Sequence, residues 1–260
     1  MGKFAVGIEY AGTAYSGWQR QKHALSIQQH VEEAIGYVAN HRVQLVCAGR
    51  TDAGVHAIEQ VAHFESTAKR DNRSWILGSN CQLPSDIRIK WIIPVEGDFH
   101  ARFSAIARSY RYIIINVAVP SALFHDRAGW EFRPLDQVLM HEAAQILVGE
   151  HDFSAFRAAG CQAKSSTRRI HEISVERRGD LLFLDVRANA FLYHMVRNIV
   201  GSLMSVGQGE RSTDWFKRVF AGGDRNLAAA TAPAAGLYLL RAHYPDAFKL
   251  PSNGKKPVLF

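Results

Sequence analysis

The chain has 260 residues, 47% of them apolar and 21% charged: enough for one large domain or two small ones around a sizeable core, and too apolar for wholesale disorder. Lys and Arg number 31 against 24 Asp and Glu, a net charge of +7, which favours a polyanionic partner, nucleic acid ahead of a membrane. Three cysteines (Cys47, Cys81, Cys161), odd in number and without CxxC spacing, argue against a disulfide framework or a thiolate zinc site and for a reducing compartment.

The N-terminal "MGKFAVGIEYAG" reads as a strand entering a turn and lacks the apolar core and cleavage site of a signal peptide. "SIQQHVEEAIGYVA" spaces Ile27, Val31, Ala34, Ile35 and Val38 as a helix, with Ser26 and Gln29 as a capping box. The "VQLVC" run predicts a strand, followed by a strand in "VAHFES", a helix in "SWILGSN" and a strand in "IRIKWIIPV" bounded by Pro94. That closes an N-terminal α/β half over residues 1–104.

A second half, 105–260, opens on the strand "RSYRYIIIN" and the helix "PLDQVLMHEAAQILVGE", with Pro134 in its first turn. The strands "IHEISVERR" and "DLLFLDVRA", the helix "HMVRNIVGSLMSVG", a short amphipathic "TDWFKRVFAG" and a closing strand "GLYLLRAHY" follow. The expected class is α+β: two similar α/β halves sharing an extended, mainly antiparallel sheet with helices packed on it and a central active-site cleft. "LAAATAPAAGLYLL" at 227–240 is short for a spanning helix and contains Pro233, so the expectation is a soluble, cytoplasmic protein without membrane contact.

No GxxxxGK[ST], HExxH, GxSxG or EF-hand loop occurs, "GQGERS" is a poor fragment of a dinucleotide fingerprint, and the 12 histidines form no ligand-spaced cluster. Neither metal nor cofactor is expected. Attention falls on "AGRTDAGVHA" at 48–57, where a single acid, Asp52, follows the cation Arg50 by two residues on a turn bent by Gly49 and Gly54. An ordinary Asx-turn would look the same. A neighbouring Arg50 would favour the ionised acid, as suits a nucleophile or a base.

That segment, with "EYAGTAYSGWQRQ" before it and "FHARFSA", "RSYRYIII" and "FLYHMVRNIVGSLM" after it, resembles the TruA-type tRNA pseudouridine synthases, and the resemblance runs over nearly the whole chain. It implies a cofactor-free homodimer that isomerises uridine to pseudouridine at positions 38, 39 and 40 of the tRNA anticodon arm. Asp52 matches the family's catalytic aspartate. Three roles stay open for it: stabilising the electron-poor sugar, attacking it, or removing a sugar proton.

The resemblance also assigns Tyr110 as the active-site tyrosine, Arg197 as the partner of the catalytic acid and Leu237 as the apolar residue flanking the base. Arg50 completes the substrate-binding set. Strand alternation puts Tyr110 and Tyr112 on one face, with Arg111 and Ile113 on the other. Phe99, His100, Ala101, Arg102 and Phe103 match an RNA-binding segment, interleaving rings with a cation as suits unstacked RNA. Gly160, Cys161, Gln162, Ala163 and Lys164 match a tRNA-contacting loop. From 157 to 178 six Arg and Lys face only Glu172 and Glu176, and Arg168, with Lys69 and Arg70, would extend the track. A non-catalytic RNA-binding protein would explain charge and aromatics but has no use for the acid turn. A nucleoside hydrolase would use the acid yet release free base.

Overall fold

The computed structural model describes residues 1–251; the basic tail "NGKKPVLF" lies outside them. Among the described residues the chain divides into two units: Met1–Ala107 together with the segment from Tyr238 onward, and Arg108–Leu237. The expected boundary near 104 lies close to the first division. The closing strand differs: it belongs to the first unit, because Tyr238 and Leu239 pair in parallel with His56 and Ala57.

In the first unit, β1 (Gly2–Tyr10) pairs antiparallel with both β3 (His56–Ser66) and β4 (Ile87–Val95), and β10 (Leu237–His243) lies on the far side of β3. The alternation of β1 and β3 sorts side chains into two layers. Phe4 and Phe64, directly paired, stack at 5.3 Å and meet Trp75 of α2 (Asn72–Gln82). On the other face Ala5 and Val61 pack with Phe99, Ala101 and Ala242. Helix α1 (Ile27–Ala39) is capped by Ser26, whose hydroxyl accepts from Gln29 N. The reciprocal half of the expected capping box is not made, because the Gln29 amide donates to Glu33 instead. The "VQLVC" strand shortens to β2 (Val46–Cys47). Leu45 N donates to the Glu32 carboxylate and Leu45 O accepts from the Gln28 amide, so helix side chains take the place of a ladder there.

The second unit holds β5 (Ala107–Asn116), β7 (Gly149–Asp152), β8 (Thr167–Arg178) and β9 (Leu181–Ala188) in the order β5-β9-β8-β7, all antiparallel, with β6 (Gly129–Glu131) parallel to β5. Arg111 and Asp185, opposite each other on β5 and β9, form a two-pronged ion pair at 2.7 and 2.8 Å. The Arg111 guanidinium also lies over the Phe183 ring, so a nearly buried cation is satisfied on two sides. Helix α3 (Gln137–Gln145) starts later than expected: the Asp136 carboxylate accepts from Val138 N and Leu139 N, leaving Pro134 ahead of the cap. Helices α4 (Met195–Gly207) and α5 (Thr213–Gly222) close the unit, with Met195, Val196, Ile199, Val200 and Leu203 buried as the stripe predicts. Among the described residues no helix is long and apolar enough to cross a membrane.

Two helix glycines separate steric need from mere tolerance. A Cβ on Gly201 would run into the Ala230 carbonyl oxygen, whereas one on Gly222 would meet open space. Gly201→Ala should lose about 1–3 kcal/mol in denaturant melts, and Gly222→Ala should gain up to about 1 kcal/mol.

Candidate functional site

The chain leaves β2 under restraint: Ala48 N donates to Val61 O at 2.7 Å and the Gln60 amide donates to Gly49 O at 2.6 Å. It then turns at Asp52–Val55, with Val55 N donating to Asp52 O at 3.2 Å and Gly54 at φ 78°. Gly54 therefore supplies the left-handed conformation such a turn requires. Gly49, expected to share that task, has ordinary φ and no crowding. Thr51 is buried, Asp52 half-buried and Arg50 exposed.

What rigidifies the turn is the loop after β1. Trp18 N donates to Thr51 O at 3.0 Å, Gly54 N to Tyr15 O at 3.3 Å, and Gly12 N to the His56 Nδ1 at 3.0 Å. Gly17, at φ 92°, allows this approach: a Cβ there would sit 2.6 Å from Thr51 O and 3.0 Å from the Asp52 carbonyl carbon. Hydrogen bonds to the main chain on both sides of Asp52 thus restrain the backbone that carries its carboxylate.

The "FHARF" segment divides. Phe99 and Ala101 are 0% exposed, with Phe99 packed against Tyr244 and Phe248. These two expected RNA-binding residues anchor the segment in the core and leave its outward side to their neighbours. His100, Arg102 and Phe103 face outward, Phe103 at 77% exposure. The His100 ring stacks on Phe103 at 4.4 Å, its Nδ1 accepts from both Arg102 N and Phe103 N, and the Arg102 guanidinium lies 5.6 Å from the Phe103 centroid. Beneath lies His63 of β3, 4.7 Å from His100, its Nδ1 accepting from Ala101 N at 3.1 Å. The sequence gives no sign of His63's part beyond a lone histidine on the face of Val61.

In the second unit Tyr110 is nearly buried, with the Phe191 ring edge-on at 4.9 Å. Tyr112, two residues on, is wholly buried and donates to Pro233 O at 2.9 Å. Burial pushes its phenol pKa far up, against a smaller downward pull from Arg197; it is a permanent donor. Arg197, in the first turn of α4, is half-buried, and its Nε donates to Ala232 O at 2.8 Å. Arg197 and Tyr112 thus hold the 232–236 segment that delivers Leu237, buried at the start of β10.

The basic stretch is less free than its composition implies. Arg157 donates to Cys161 O and Ala163 O and so shapes the Gly160, Cys161, Gln162, Ala163, Lys164 loop. Arg168 donates to Ser165 O and Thr167 O, and Arg177 to Asn116 and Leu135 O. Arg169 and Arg178 pair with Glu150 and Glu176. Lys164, Gln162, Lys69 and Arg70 are exposed. Among the described residues no group of three or more His, Cys, Asp or Glu is arranged to hold a metal ion.

A profile of tRNA pseudouridine synthases matches residues 7–104 and 143–245. The chain is 56% identical over 247 residues to a "tRNA pseudouridine synthase A" of Hydrogenovibrio crunogenus, covering 95% of this chain and 94% of that one. It is 51% identical over 259 residues to a protein of the same name from Alcanivorax borkumensis, covering 99% and 97%. A Coxiella burnetii protein so named is 50% identical over 251 residues, covering 96% of each.

The histidine stack carries a pH dependence. Burial above all, then the His100 ring and Lys3, push the His63 pKa down from 6.5 to about 4. The unfolded chain binds that proton as pH falls through 6.5 while the folded chain waits until about 4, so this group's contribution to stability is present above 6.5 and is lost between those values. His63→Gln should make the decline in urea midpoint across that window shallower. An unchanged decline would show that His63 titrates normally.

Proposed function

The chain belongs to the tRNA pseudouridine synthase family, and from that membership we propose that it isomerises uridine to pseudouridine at positions 38, 39 and 40 of the tRNA anticodon arm, with Asp52 acting on the ribose. The observation that carries this reading is a half-buried carboxylate on a glycine-bent turn braced by backbone hydrogen bonds. The reaction breaks the bond from ribose C1′ to uracil N1, turns the base and forms a bond from C1′ to C5. The proton lost at C5 is balanced by one gained at N1. Nothing leaves and no electrons are exchanged, so the chemistry asks for a positioned acid or base and a hold on the loose base. Asp52 serves by stabilising the electron-poor sugar, by attacking C1′ as carboxylates do in glycoside cleavage, or by taking a ribose proton.

Tyr110, Arg197 and Leu237 are assigned to the reacting uridine, with Arg50 near the acid. Phe103, Arg102 and His100 are assigned to unstacked RNA, an exposed ring backed by a second ring and flanked by a cation being a stacking platform with a phosphate contact. Exposed Lys164, Gln162 and Arg70 are assigned to phosphates. A homodimer in the cytoplasm completes the reading; the three cysteines, none in a disulfide, accord with a reducing compartment.

Purified protein incubated with tRNA should yield pseudouridine with no change of mass and no free uracil. Free uracil would mean hydrolysis, and binding without product would mean an RNA-binding module. Asp52→Asn should lower single-turnover rates by at least about 10²- to 10⁴-fold with tRNA binding kept within a few-fold. Arg102→Ala or Lys164→Ala should instead weaken binding and flatten log affinity against log salt by roughly 0.7–0.9 per contact, leaving turnover at saturation near normal. Arg197→Ala should do the opposite; a lost contact's worth of salt slope with normal turnover would make Arg197 a phosphate clamp.

A further inference from the structure

The residue before the proposed catalytic acid is tied to a different element. Thr51 is buried, and its Oγ1 lies 2.7 Å from the Tyr10 hydroxyl, itself buried at the end of β1. Either hydroxyl can donate. Tyr10 is fixed in turn by its pairing with Ala57 of β3 and by the Trp18 ring, 5.9 Å between centroids. Trp18 N donates to Thr51 O, so both the side chain and the carbonyl of Thr51 are held from the β1 end and the loop that follows it. Asp52 O is occupied by Val55 N. Rotation of the peptide that carries the Asp52 side chain therefore breaks a buried hydrogen bond on one side or the turn on the other.

The geometry points to Tyr10 and Thr51 as a positioning pair for the reaction, which sets the direction of the Asp52 carboxylate without touching the uridine. This rests on the reading of Asp52 as the catalytic acid. A buried hydroxyl pair one peptide away is short and stiff, and it transmits position where a solvent-exposed contact would not. A misplacement of the acid on the order of 1 Å costs up to about 10²-fold in rate.

The experiment compares Thr51→Val, which keeps the shape and removes the hydroxyl, with Thr51→Ser, which keeps the hydroxyl, and with Tyr10→Phe. Single-turnover rates at saturating tRNA, apparent tRNA affinity and melting temperature are measured for each, with rates taken well below the lowest melting transition. Thr51→Val and Tyr10→Phe should each slow turnover by about 10- to 10²-fold with tRNA affinity unchanged. Thr51→Ser should restore most of the rate, and the double variant should be no slower than the worse single one. A purely structural pair would lower the melting temperature and leave turnover at wild type. That outcome, or additive losses in the double variant, overturns the positioning role, and Tyr10→Phe decides alone if Thr51→Val does not fold. Loss of activity in Asp52→Asn beside normal turnover in Thr51→Val overturns this inference only, whereas an active Asp52→Asn overturns the reading beneath it.

Discussion

Two backbones at contact distance fix the geometry of the 51–55 turn. The 12–18 loop comes so near the 51–55 turn that neither Gly12 nor Gly17 has room for a Cβ against Val55 and Thr51, and the gain is a set of main-chain hydrogen bonds between the two segments. Side chains with several rotamers could supply the same bonds, but each would add freedom to the element meant to be fixed. Glycine here trades chain entropy for closeness, and it does so beside the turn that carries Asp52.

The turn itself was legible in the sequence, because acid, cation and glycine in one short turn after an apolar run is a local pattern; the approach of Gly12 and Gly17 to it was not. The elements with strong period, β1, α1, β5 and α4, were likewise readable from spacing alone. What could not be read was partnership. "VQLVC" has the composition of a strand, yet Glu32 and Gln28 of α1 occupy the Leu45 backbone, a tertiary substitution that no pattern within five residues encodes. Phe99 and Phe103 are the same residue type four apart; one is core and the other exposed because the faces of β3 and β10 claim only the first. The early end assigned to Pro134 failed for a related reason, since the Asp136 carboxylate outcompetes a proline's preference in deciding where a helix starts.

Much of the positive charge in the second unit is taken up inside the protein. Six cations between 157 and 178 read as a phosphate track, yet Arg157, Arg168 and Arg177 lay their guanidinium groups on main-chain carbonyls and two more meet glutamates. Arginine's planar set of donors suits it to organising a loop from within, so much of the positive charge shapes the surface that Lys164 presents. A lysine in those places would keep the net charge and lose the fork.

The return of β10 to the first unit bears on the order in which the protein is made. Residues 108–237 form an uninterrupted stretch and can collapse once they have been synthesised, but the sheet carrying the acid turn lacks the strand beside His56 until Tyr238 and Leu239 emerge. The His56 ring, which receives Gly12 N on one side, stacks on Tyr238 at 4.7 Å on the other. A nascent chain therefore carries Asp52 and its turn well before the edge of β3 beside His56 is covered.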